Sequence, residues 1–114
     1  MKLFYLAVSP PARSVLLAIR NLGLNVELIK LDLFKQEHLS PEFIKLNPAH
    51  QIPVLVDDDE FVLCESRAIL GYLVNRFKPN STLYPTDARK RALIDQRLYY
   101  DTVVFERNST AIVS

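Results

Sequence analysis

The sequence predicts an α/β fold, a mixed four-stranded sheet covered by helices, on three observations. Its first third passes from a short apolar run through a helical pattern to a second apolar run, as a strand–helix–strand unit does. Two further apolar runs flank an acidic turn at residues 57–60 and read as a hairpin. A helix with one continuous apolar face follows that hairpin.

Residues 3–8 (LFYLAV) are the first strand: short, apolar, rich in aromatics and closed by Ser9-Pro10-Pro11. Residues 12–22 then carry Val15, Leu16, Ile19 and Leu22 at helical spacing. Pro10 and Pro11 suit a first turn, and Gly23 stands where a helix stops. In residues 25–33, Val26, Leu28, Ile29 and Leu31 alternate with Asn25, Glu27, Lys30 and Asp32, the pattern of a second strand. Strands joined through a helix pair in parallel, with a right-handed crossover. Residues 34–50 are polar, with a weak helix starting near Ser40-Pro41-Glu42. The hairpin strands are residues 52–56 and 61–64. Residues 65–77 put Ile69, Leu70, Leu73, Val74 and Phe77 on one helical face, and Lys78-Pro79-Asn80-Ser81 ends that helix. Past a Leu83-Tyr84-Pro85 linker, residues 87–107 read as one more helix with Leu93, Ile94, Leu98 and Phe105 inward. The order βαβ, short helix, ββ, α belongs to the thioredoxin-like class.

Composition narrows the function. With 114 residues, 49% of them apolar and 24% charged, the chain has the make-up of a globular protein of one compact domain with a short appendage. Fourteen basic against thirteen acidic side chains leave a net charge of +1, which argues against nucleic acid or a membrane held by bulk charge. Two glycines cannot build a phosphate-binding loop or a dinucleotide fingerprint. Cys64 is the sole cysteine, so an intrachain disulfide and a four-cysteine zinc site are excluded. No signal peptide and no spanning apolar run is visible, and the expected location is the cytoplasm.

Three motifs carry a resemblance. Ser9-Pro10-Pro11-Ala12-Arg13, Asn47-Pro48-Ala49-His50-Gln51-Ile52-Pro53-Val54-Leu55 and Glu65-Ser66-Arg67-Ala68-Ile69-Leu70 occur in this order. Together they resemble the N-terminal domain of cytosolic glutathione transferases, most similar to the insect delta class. The similarity runs from Met1 to about Asp101 and includes Gln96-Arg97-Leu98-Tyr99. It implies an enzyme that conjugates the thiolate of glutathione, its co-substrate, to small hydrophobic electrophiles in detoxification, without a metal.

Glutathione needs an anion cradle, a strand edge for its backbone and a group that stabilises a thiolate. Ser9 lies between strand and helix, where free N–H groups and the helix dipole point outward. In the resembled family this serine donates to the sulfur, while an ordinary N-cap serine is the other reading. Tyr5 is its competitor, since other classes use a tyrosine; a central strand tends to bury it. The resemblance implies a cis Ile52–Pro53 bond, with Ile52 pairing with the cysteinyl backbone as an added strand. Ser66, at a helix start, suits the γ-glutamyl carboxylate, Glu65 its amine, and Arg67 either the carboxylate or Glu65; the plain alternative is a capping turn with an exposed ion pair. His38, His50 and Gln51 complete the set, the two histidines on the glycine carboxylate. No acidic or cysteine partner stands near the histidines at ligand spacing, so no metal is expected. Cys64 reads as a packed, inert thiol. The corner at residues 9–12 holds no cysteine, which excludes disulfide exchange through a protein thiol.

The resemblance divides the chain into a glutathione-binding domain at residues 1–80, a linker at 81–86, and the start of an all-helical domain at 87–114. Residues 106–114 no longer read as that helix continuing, which suggests a shortened form, by splicing or by an incomplete gene. Such a helix would expose one apolar side. A homodimer is expected if the helical domain is intact. The alternative function is a non-catalytic glutathione-binding or heterodimerising module; a third is a thioredoxin-like fold used for protein contacts alone.

Overall fold

Four strands form one mixed sheet in the order β2-β1-β3-β4: β1 is Lys2–Tyr5, β2 Glu27–Lys30, β3 Val54–Asp57 and β4 Phe61–Leu63. The computed structural model describes residues 1–6, 8–32, 35, 37, 40–46 and 52–113, and for residues 42, 46 and 103–113 the backbone alone. The first unit is the expected one: β1 pairs in parallel with β2, Leu3 opposite Leu28, across helix α1, Pro10–Leu22. Both hairpin strands are present, β3 antiparallel to β1 and to β4.

Both strands of the first unit are shorter than their apolar runs. β1 ends at Tyr5 because the Ser9 N–H donates to the Leu6 carbonyl at 3.1 Å and the prolines turn the chain into α1, leaving Val8 exposed. Leu31 extends the β2 side by one bond, from its N–H to the Tyr5 carbonyl at 2.9 Å. β2 is an edge strand whose Glu27 and Lys30 charges are exposed, which discourages pairing with a foreign strand.

α1 begins with Pro10 and Pro11 at its first two positions, where a missing N–H leaves nothing unsatisfied. It ends at Gly23, whose φ of 67° is the left-handed conformation that glycine adopts without penalty. The Gly23 N–H donates to the Arg20 carbonyl and the Leu24 N–H to the Ile19 carbonyl.

The sheet has two working faces. Phe4, Val54 and Val56 belong to a cluster with Leu31 and Phe43. Phe43, on the short helix α2, Pro41–Leu46, meets Phe4 edge-on with ring centroids 5.8 Å apart. Leu3 and Leu55, register partners on the opposite face, are fully buried; Val15 of α1 and Ile69 and Leu73 of α3, Ser66–Phe77, are fully buried as well. Fully burying a leucine-sized side chain contributes about 1.5–3 kcal/mol, so these few residues carry much of the folding energy.

Between β3 and β4 a tight turn at Asp58–Glu60 reverses the chain, with Asp59 and Glu60 both at positive φ. The Ile52–Pro53 bond is cis, as the resemblance implied.

Contacts divide the chain into two units, Met1–Leu73 and Val74–Ser114, with the division inside α3. In the second unit, Asp87 caps helix α4, Ala88–Val113, its carboxylate accepting the Lys90 N–H at 3.0 Å. α4 therefore runs past residue 107, where the sequence reading ended it. Asn108, Ser109 and Thr110 are weak helix formers, but no glycine or proline halts the helix. Leu93, expected inward, is 62% exposed. Ile94 and Leu98, also expected inward, are half-buried in one stripe with Arg91, Asp95 and Thr102, because polar anchors set the rotation of the helix; the side chain of Phe105 lies outside the described residues. Among the described residues no helix is long and apolar enough to cross a membrane.

Candidate functional site

The pairing registers bring three chain segments to one edge of the sheet. Phe4 lies opposite Val54 in an antiparallel pair, so the end of β1 lies beside the start of β3. Leu55 lies opposite Leu63, so β4 also leaves the sheet beside Pro53. Neighbouring strands are about 4.8 Å apart, which sets the exits of β1 and β4 on either side of the start of β3. α1 and α3 both begin at this edge, so two positive helix-dipole ends meet there; α1 itself offers no free N–H, because Pro10 and Pro11 have none and the Ala12 and Arg13 N–H groups donate to Ser9.

Ser9 is the N-cap of α1, with φ −81° and ψ 118°. Its hydroxyl oxygen accepts the Ala12 N–H at 3.3 Å. Among the described residues the hydroxyl donates to none. A hydroxyl has one proton to donate and two lone pairs, so capping through oxygen keeps the proton for another acceptor. The capping role and the donor role are thus compatible at one atom.

Ile52 and Pro53 stand immediately before β3. Pro53 is fully buried, while Ile52 is partly buried and packs against the Leu31–Phe43–Val54 cluster. Tyr5, at the last position of β1, is half-buried rather than enclosed.

Glu65, Ser66 and Arg67 form a local network. The Glu65 carboxylate caps α3, accepting the Arg67 N–H at 3.2 Å, the Ser66 hydroxyl at 3.3 Å and the Arg67 guanidinium at 3.4 Å. The guanidinium also donates to the Ser66 hydroxyl at 3.1 Å. Ser66 is buried, at 3% exposure, and Glu65 is the solvent-facing member of the ion pair. The Arg67 guanidinium thus contacts Glu65, an arrangement that a capping turn with an ion pair also has.

His38, His50 and Gln51 lie outside the described residues. Cys64 follows β4, partly buried against the cluster around Phe43, and burial pushes its thiol pKa up. Sequence reasoning passed over Asp57 and Tyr72, which hydrogen-bond from strand to helix. The one available signal was an aspartate closing an apolar strand. Among the described residues no group of three or more histidine, cysteine or acidic side chains is placed to hold a metal.

A mixed sheet ordered β2-β1-β3-β4, with a βαβ unit on one side and a hairpin and helix on the other, is a thioredoxin-like domain. This one carries a serine, not a cysteine, at the corner after its first strand. The pattern of "Glutathione S-transferase, N-terminal domain" matches residues 1–75, and the chain belongs to that family. Glutathione S-transferase D7 of Anopheles gambiae is 50% identical over 99 residues, 87% of this chain and 45% of the relative. A delta-class glutathione transferase of Nilaparvata lugens superposes with a TM-score of 0.82 at 50% identity, covering 89% of this chain and 47% of that one. A glutathione transferase homologue of Drosophila mojavensis, solved with bound glutathione, gives a TM-score of 0.84 at 38% identity, covering 89% and 46%. The chain spans about half the length of the curated relatives it matches.

Proposed function

We propose that this chain binds reduced glutathione at the shared edge of β1, β3 and β4 and delivers its thiolate to a small apolar electrophile. The observation that carries the reading is the register: one edge gathers a serine hydroxyl with a proton to donate, a strand start and a second helix N-terminus. The Ser9 hydroxyl donates to the sulfur. One charge-assisted hydrogen bond plus the dipole of α1 lowers the pKa of the bound thiol. Ile52 pairs through its backbone with the cysteinyl residue, beside Gln51 and Pro53. The N-terminus of α3 at Ser66 takes the γ-glutamyl carboxylate, and Glu65, held by Arg67, takes the amine. His38 and His50 take the glycine carboxylate. The thiolate forms a carbon–sulfur bond as the electrophile's leaving group departs, or adds across an activated double bond. No step needs a metal. The same reading includes a cytoplasmic, detoxifying enzyme acting as a homodimer, with further helical residues shaping the electrophile pocket.

A conjugation assay with an aryl halide, beside a thiol titration of the bound peptide, tests it. Wild type turns over, and Ser9→Ala keeps most of its glutathione affinity while the bound thiol titrates at higher pH. An unchanged titration removes Ser9 from the chemistry. Retention on immobilised glutathione without turnover assigns the non-catalytic or heterodimerising module instead, and no retention leaves only protein contacts.

A further inference from the structure

We propose that Asp57 and Tyr72 are a positioning pair that fixes where α3 starts relative to β3, and so how the glutamyl end of the peptide is held. This rests on the glutathione reading above. Asp57 is the last residue of β3 and is 6% exposed. Its carboxylate accepts the Asp58 N–H at 2.8 Å and the Tyr72 hydroxyl. The Tyr72 ring lies against Phe61 of β4, with ring centroids 5.3 Å apart. A carboxylate this buried is costly unless hydrogen-bonded, so the bond's geometry is under real constraint.

β3 and α3 both run away from the shared edge. Asp57 lies four residues beyond Pro53 and Tyr72 six beyond Ser66, about 13 Å down the strand and about 9 Å down the helix. The bond is therefore a cross-brace between the two elements whose near ends carry Ile52 and Ser66. Ile69 and Leu73 hold α3 by burial, which is non-directional and lets a helix slide or roll by fractions of an ångström. A hydrogen bond has a preferred length and angle and resists both motions. Glutathione bridges the two arms, its cysteinyl backbone on β3 and its γ-glutamyl group on α3, so its affinity depends on their offset.

The test is a binding cycle with two ligands on the full chain: glutathione, and glutaryl-cysteinylglycine, which lacks the glutamyl amine. In wild type the ratio of their dissociation constants measures what the amine gains at Glu65. Tyr72→Phe keeps the ring against Phe61 and removes only the hydroxyl. It shrinks that ratio about threefold or more, since the glutamyl contact is what the brace serves. Asp57→Ala removes the acceptor from the strand side and shrinks the ratio in the same direction. A merely structural role weakens both ligands by one factor and leaves the ratio alone, and a wild-type ratio in either folded variant overturns the proposal. Wild-type protein that binds neither ligand overturns the glutathione reading itself.

Discussion

Ser9 caps α1 through its oxygen, so removing that oxygen has two separable consequences. Ser9→Ala lowers stability by about 1 kcal/mol through the lost cap, read as a fall in melting temperature, whatever it does to a bound thiol. The thiol titration must therefore be made well below that melting point. Cys64 gives a second expectation. Burial raises its pKa above the ordinary 9.0, so at pH 8 it holds less thiolate than a free cysteine. Iodoacetamide alkylates it more slowly than it alkylates free cysteine at that pH, and an equal or faster rate contradicts the burial. Glu60 gives a third. At φ 59° its side chain crowds the backbone, which an aspartate such as Asp59 tolerates better. Glu60→Gly relieves that crowding and stabilises the fold by about 0.5–1 kcal/mol, visible as a higher melting temperature.

At the scale of elements, the start of α4 is anchored by Arg91. Its guanidinium lies 4.0 Å from the Tyr84 ring centroid and donates to the Pro85 carbonyl at 2.9 Å, the Tyr84 carbonyl at 3.1 Å and the Asn75 amide oxygen at 2.8 Å. Tyr84 in turn donates to Asp95 at 2.6 Å. Arg91→Lys keeps the charge but cannot fork to several acceptors, so helicity of the Ala88–Val113 segment melts at lower temperature by circular dichroism. Tyr84 adds a pH dependence. Its hydrogen bond to Asp95, with some desolvation, raises its pKa above the ordinary 10.0. A raised folded pKa means that its stabilisation is full below pH 10 and is lost as pH climbs through the folded value. Helicity therefore falls in strong alkali, and Tyr84→Phe removes that component. Apolar periodicity could not show this anchor, because an arginine and a tyrosine in a linker look like surface residues. That is why Leu93 read as inward and proved exposed, whereas Ile69 and Leu73, on a helix whose polar anchor at Tyr72 leaves the apolar face turned inward, read correctly.

At the scale of the whole molecule, the strand–helix–strand and hairpin periods were enough to infer the mixed sheet, because a buried sheet has little choice about which residues alternate. The convergence of Ser9, Pro53 and Glu65 at one edge was legible only as spacing; it takes the register of three strands to put them side by side. The two units also differ in how they are held. Met1–Leu73 contains Leu3, Val15, Val54, Leu55, Ile69 and Leu73 at 0% exposure. In α4, by contrast, no described side chain is buried, and Leu93, Tyr99 and Tyr100 are 62%, 73% and 71% exposed. Helices of modest propensity draw most of their stability from tertiary packing of one face, and α4 has only a half-buried stripe. Local opening should follow that difference. In native-state hydrogen exchange, amides of β1 and β3 exchange at the rate set by global unfolding, while those of α4 exchange at least about tenfold faster and depend less on denaturant. Helical signal at 222 nm then falls before the sheet's amides lose protection, so the two probes give separate transitions. Coincident transitions, or α4 amides as slow as those of Leu3 and Leu55, would mean that α4 is covered by a partner in solution. In that case dilution, which drives a partner off, lowers its protection and leaves β1 and β3 unchanged.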